Sequence, residues 1–266
     1  MIALLRFLAV YFLLAIYVVA SLIAEEYPNE EQAKFIFLGG THQNTLTPFP
    51  NDDETRKILK QNQLENEGRK LIKRGFYHEA IEKFRQADVP TLRVSGYQPT
   101  IAKGLIREVY WIQGKYDQAL AELLPLLETN PKQESYIDEK QELEALISAH
   151  DKQATKPVYD YLDFFKRKYK KELPPKKYWF GSLGIATTII RLYDHIGDST
   201  GGIAFVDQIL AYKKLRPKAR SEYLKVRESF EHDKKEGFKG CLDAKVGTGC
   251  MGRATQVLIQ SDYFPW

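Results

Sequence analysis

Residues 71–87 read Leu-Ile-Lys-Arg-Gly-Phe-Tyr-His-Glu-Ala-Ile-Glu-Lys-Phe-Arg-Gln-Ala, and residues 110–126 read Tyr-Trp-Ile-Gln-Gly-Lys-Tyr-Asp-Gln-Ala-Leu-Ala-Glu-Leu-Leu-Pro-Leu. Aligning Gly75 with Gly114 brings Tyr77 onto Tyr116, Ala80 onto Ala119, Ile81 onto Leu120, Phe84 onto Leu123 and Ala87 onto Leu126. The apolar positions recur at helical intervals on both sides of each glycine. Each glycine stands where a helix must end, a position suited to a residue free to take positive φ. Ala80 and Ala119 leave room for a close helix crossing, and Phe84 and Leu123 fill the space one turn further on. Each copy therefore predicts a helix–turn–helix hairpin whose apolar face needs a neighbour.

Working outward, the two copies predict helices over 55–74, 77–88, 100–113 and 116–128. Beyond Pro131 the pattern stays helical. Ile137, Leu143, Leu146 and Ile147 form one stripe, and Val158, Tyr161, Leu162 and Phe165 another, joined near Asp151–Lys156. Glu172-Leu-Pro-Pro breaks the pattern. A long apolar segment, Tyr178–Ile196, then meets Gly197 in the turn role, with an enlarged turn at Asp198–Gly202 and a return helix at Ile203–Leu210. Lys218–Lys235 reads as a charged capping helix over residues 132–236 of degenerate hairpins. Residues 237–266 carry both cysteines, Cys241 and Cys250, as a pair expected to close a disulfide.

The amino end differs. Phe7 to Ala24 is an uncharged run of eighteen residues, preceded by Arg6 and followed by Glu25-Glu26. Residues 1–24 thus read as a membrane-targeting segment, with the rest of the chain on the non-cytoplasmic side. Cleavage after Ala20 and retention as an anchor both fit. Residues 25–53 read as a tether in which Phe35–Leu38 either docks or stays disordered. Charge is divided unevenly: residues 25–150 hold 16 basic and 21 acidic side chains, residues 151–266 hold 22 and 14.

The offsets of Gly, Tyr, Ala, Phe and Ala, with Pro131 closing the second copy, resemble the tetratricopeptide repeat over residues 55–131. Three features depart from it: Arg107 stands where the first copy has the small Gly68, the first copy lacks the closing Pro, and the copies lie 39 residues apart, which enlarges the linker around Pro90, Gly96 and Pro99. The resemblance implies an all-α, right-handed stack of about four hairpins plus a capping helix. It implies a concave groove lined by first helices, with Asn62, Glu65, Arg69, Ile72 and Lys73 from one copy and Ile101, Gly104, Glu108, Trp111 and Ile112 from the other. Of these, Asn62, Arg69, Lys73, Glu108, Trp111 and Ile112 are the candidate binding residues. Trp111 reads either as a binding anchor or as packing between hairpins.

No catalytic pattern occurs: there is no phosphate-cradling Gly-rich motif, no His-Glu-x-x-His and no Gly-x-Ser-x-Gly. The five histidines are scattered in sequence, and none is at ligand spacing from another. No metal, cofactor or nucleic-acid partner is expected. The expected function is an exported scaffold or assembly factor, tethered or secreted, that binds a protein or peptide; the competing reading is an envelope or secretory-pathway enzyme with its site in 178–266 and the repeats as its docking module.

Overall fold

The computed structural model describes residues 52–88, 101–171, 173, 180–213, 215–244 and 249–261. Residues 1–24, expected to target a membrane, residues 25–51 and the linker around Gly96 lie outside them, as does most of the Leu-Pro-Pro break. Among the described residues the regular structure is all α-helical, and no helix there is long and apolar enough to cross a membrane. The helices are α1 (Asp52–Lys73), α2 (Tyr77–Ala87), α3 (Ile101–Ile112), α4 (Tyr116–Thr129) and α5 (Glu134–Lys152). They continue with α6 (Lys156–Lys168), α7 (Phe180–His195), α8 (Ser199–Leu210), α9 (Pro217–Glu236) and α10 (Arg253–Gln260).

Pairs α1/α2, α3/α4, α5/α6 and α7/α8 are hairpins, and each hairpin packs on the next through α2/α3, α4/α5, α6/α7 and α8/α9. Four of the first helices, α1, α3, α5 and α7, and then α9, end in one backbone device. A residue with positive φ follows the helix: Gly75, Gly114, Gln153, Gly197 and Gly237. The next N–H donates back to a carbonyl five residues earlier: Phe76 to Leu71, Lys115 to Tyr110, Ala154 to Ala149, Asp198 to Tyr193 and Phe238 to Asp233, at 2.9, 2.8, 3.0, 3.0 and 2.9 Å. This closure satisfies carbonyls that the helix end would otherwise leave open. The turn residues are spaced by 39, 39, 44 and 40 positions, so the period seen in two copies runs through the described chain.

Packing follows the same register. Five residues after each hairpin turn stand Ala80, Ala119, Val158 and Gly202, and nine after stand Phe84, Leu123, Leu162 and Val206; all are buried. A Cβ on Gly68 would come within 2.4 Å of the Phe84 ring, so the small residue there is what lets α1 approach α2. Substituting into so tight a crossing costs about 1–3 kcal/mol.

Two expectations are corrected. The turn after α7 is not enlarged: Asp198 caps α8 by accepting from the Gly201 N–H at 2.8 Å, and the helix starts at Ser199. Gly201 and Gly202 lie inside that helix, where a Cβ on Gly202 would lie 2.5 Å from the Phe230 ring. Nor does α9 end the stack, because α10 packs on it and on α7.

The described residues of the carboxyl-terminal arm, 237–244 and 249–261, are tied down at several points. The Cys241 N–H donates to the His195 carbonyl at 2.7 Å, and Cys241 pairs with Cys250 as a disulfide with its Cα atoms 5.7 Å apart. Leu258 and Ile259 of α10 join the single apolar core that begins at Ile72. At the far end, Lys73 Nζ donates to the Gln260 carbonyl at 3.3 Å and Gln260 Nε2 donates to the Lys73 carbonyl at 2.8 Å. The arm thus meets α1, α7 and α9, all on the side formed by first helices.

Candidate functional site

Three first helices, α3, α5 and α7, converge on one buried cation. The Arg191 guanidinium bonds Glu108 through Nη1, lies 3.5 Å from Glu142 Oε1 through Nη2, and stacks 4.2 Å from the centre of the Trp111 ring. Trp111 Nε1 donates to Glu142 Oε1 at 3.0 Å. Burial favours the neutral acid and pushes Glu142 up to about 7; Arg191 opposes this, and Glu108 and Glu139 add to it. Burial alone would lower the Arg191 pKa, but the carboxylates of Glu108 and Glu142 overcome it and hold the guanidinium charged. One cation between two carboxylates is a seam that is strong only while complete.

Beside it, Arg107 grips Glu139 with both prongs, at 2.6 and 2.9 Å, and joins α3 to α5 a second time. The large residue at a position where the first copy has Gly68 thus serves a bond to the next hairpin, not the crossing within its own.

At the turn edge lies a chain of rings. Tyr116 Oη is 3.3 Å from His195 Nδ1, and His195 Nε2 is 3.1 Å from His150 Nε2. His150 in turn bonds the Leu242 carbonyl of the arm, which also accepts from Gln153 Nε2 at 3.1 Å. Burial, then the neighbouring His150, drives His195 down to about 3, so it is neutral at physiological pH. Asp194 next to it is raised to about 6 by burial, although the Thr255 N–H donates to it at 3.1 Å.

The candidate binding residues divide. Glu108 and Trp111 join the seam, and Trp111 is buried, so it packs between hairpins in the manner of the second of its two readings. Ile112 is core. Lys73 is engaged by α10. Asn62 and Arg69 remain half-buried on α1, Arg69 within 4.0 Å of Glu65 and 3.4 Å of Asn66. Glu142, Arg191, His150 and His195 were not singled out as site residues. Extending the turn register to Gly197 would have found Arg191, which falls six residues before its turn as Arg69 and Glu108 do. The two histidines, scattered in sequence, are neighbours in the fold. Among the described residues no group of three or more His, Cys, Asp or Glu side chains is placed to hold a metal ion.

No family model, curated protein or solved structure matches this chain.

Proposed function

We propose that this chain is an exported, membrane-tethered scaffold of the tetratricopeptide type, acting by binding another protein on the side formed by its first helices. The observation that carries the reading is the recurrence of one turn device at Gly75, Gly114, Gln153 and Gly197 with hairpins between. Arrays of this kind offer a continuous face built from equivalent positions. Here the middle of that face is floored by Glu108, Trp111, Glu142 and Arg191, and α10 lies along part of it. The half-buried Asn62 and Arg69 on α1 remain as contact positions, and a cation there would speed capture of an acidic segment.

A photo-crosslinking side chain at position 62 of the full chain tests this in the native host. The expected product is one partner that is lost when Arg69→Glu is added and is not obtained from the exposed position 78 on α2. Equal products from both positions, or none at 62, would count against the reading.

The competing enzyme reading draws on Asp194 and His195, two displaced acid–base groups within 178–266. Both are buried beneath the arm. The described clefts of that region lie instead between α9 and α10, one lined by Glu222, Lys225, Arg253 and Gln256 and the other by Asp233, Glu236, Arg253 and Gln256.

A further inference from the structure

Register brings together two basic stretches that are far apart in sequence. Tyr159 Oη of α6 donates to Asp198 Oδ2 at the start of α8 at 2.9 Å, and Lys166 of α6 lies 5.8 Å from the centre of the Phe205 ring in α8. Each pair is separated by the same 39 residues, so α6 and α8 run parallel and level, and their carboxyl ends emerge on one edge of the stack. The first stretch, Lys166-Arg-Lys-Tyr-Lys-Lys171, closes α6 there; the second comprises Lys213 just after α8 and Arg216 and Lys218 at the start of α9.

Part of this charge has structural work. Lys168 is held by Asp138 at 2.7 Å and by Glu134, Lys166 bonds Tyr193, and Arg220 caps α8 by donating to the Leu210 and Tyr212 carbonyls. Arg167, Lys170, Lys171 and Lys213 are exposed and make no ion pair among the described residues. Among the described residues the nearby acids are few or engaged: Asp160 is taken by Lys156 and Asp207 by Arg227, leaving Asp163 one turn before Arg167. Phe164, also exposed, shares a helical stripe with Arg167, three positions on, and Lys171 lies in the turn that follows the helix. Cations around an exposed aromatic ring suit the boundary between water and acidic headgroups.

We infer that this edge docks on an anionic bilayer surface, with Arg167, Lys170, Lys171 and Lys213 facing the headgroups and Phe164 entering the interface. A bilayer fits better than an acidic polymer because the proposed membrane segment already holds the chain at one, and in that respect the inference rests on the tethering reading. Each cation brought to such a surface is worth about fivefold in affinity, lost as salt screens it.

The test uses the full chain reconstituted into nanodiscs of phosphatidylcholine alone or of an equimolar mixture with phosphatidylglycerol, read by amide hydrogen exchange. Peptides covering 159–171 should be protected in the mixed discs, unprotected in the neutral ones and released by high salt. The double variant Arg167→Glu, Lys171→Glu should lose the protection while exchange in α3 and α4 stays unchanged, which excludes unfolding. Equal exchange in both discs would overturn the inference. If the chain enters neither disc, the tethering reading fails, and flotation with vesicles of the same two compositions decides the edge alone. Binding only to the mixed vesicles, weakened about tenfold or more by the double variant, supports it; no binding overturns it.

Discussion

Gly197 and Gly240 meet back to back: a Cβ on Gly197 would lie 2.3 Å from the Lys239 carbonyl carbon, and one on Gly240 would lie 2.5 Å from the His195 oxygen. Both have positive φ, 72° and 86°. The arm can cross the turn between α7 and α8 at this distance only because neither residue carries a side chain. Gly197→Ala or Gly240→Ala should therefore combine backbone strain with backbone–backbone overlap and cost about 2–5 kcal/mol. Gly75→Ala, at φ 81° with open space around it, should cost only the strain, about 1–2 kcal/mol. Urea denaturation of the three variants checks the order; equal losses would mean that the arm does not press on the turn.

Among the described residues, Arg191 is the sole cation that touches both Glu108 and Glu142. Arg191→Met should cost about 3–5 kcal/mol, because it strips Glu108 and the buried Glu142 of their shared cation. Adding Glu108→Gln and Glu142→Gln should recover most of that loss, since the triple variant buries no net charge. A single variant as stable as the parent by thermal denaturation would show that the seam is solvated.

Glu142 makes stability fall as pH rises. Its folded pKa of about 7 stands above its ordinary 4.5, so the folded state holds the proton more tightly than the unfolded chain does. That contribution is complete below about pH 4.5 and is lost by about pH 7, at most about 3 kcal/mol. Asp194 acts in the same direction between its ordinary 3.8 and about 6. His195 opposes both: its folded pKa is depressed, so its contribution is present above 6.5 and lost as pH falls towards about 3. Glu142→Gln should remove the slope between pH 4.5 and 7 that belongs to residue 142 alone. Denaturation curves at several pH values for the two proteins give the difference directly, and parallel curves would refute the assignment.

The disulfide closes a short loop, Cys241 to Cys250, over the turn edge. A loop this size contributes up to about 3 kcal/mol in the chain-entropy model. Reduction, or the double variant Cys241→Ser, Cys250→Ser, should raise amide exchange across 237–261 and leave α2 to α4 protected. Unchanged exchange in the arm would show that Asp194, Asp233 and Lys73 hold it without the staple.

The repeat was legible where side chain and backbone demand coincide: Gly75, Gly114 and Gly197 each stand at a positive-φ turn. Gln153 takes the same conformation at φ 49° without a residue type that announces it, so the third turn was placed only approximately. Gly201 and Gly202 were read as a widened turn because paired glycines usually break helices. In the fold they make room for Tyr193 and Phe230 instead. The seam was half legible. Glu108 and Trp111 followed from groove register, whereas Arg191 sits in an apolar helix whose composition signals packing. The pairing of His150 with His195 needs the fold itself, since the residues are 45 apart in sequence.

The tie between Lys73 and Gln260 has a consequence for timing. A stack whose units touch only their neighbours can form piece by piece as it leaves the ribosome or crosses a membrane. Here the end of α1 waits for a residue made 187 positions later. The early hairpins can assemble on emergence, but the face beneath α10 stays uncovered until the last described helix arrives. In that interval the apolar surface that Leu258 and Ile259 will cover stays open to chaperones, proteases and its own partner.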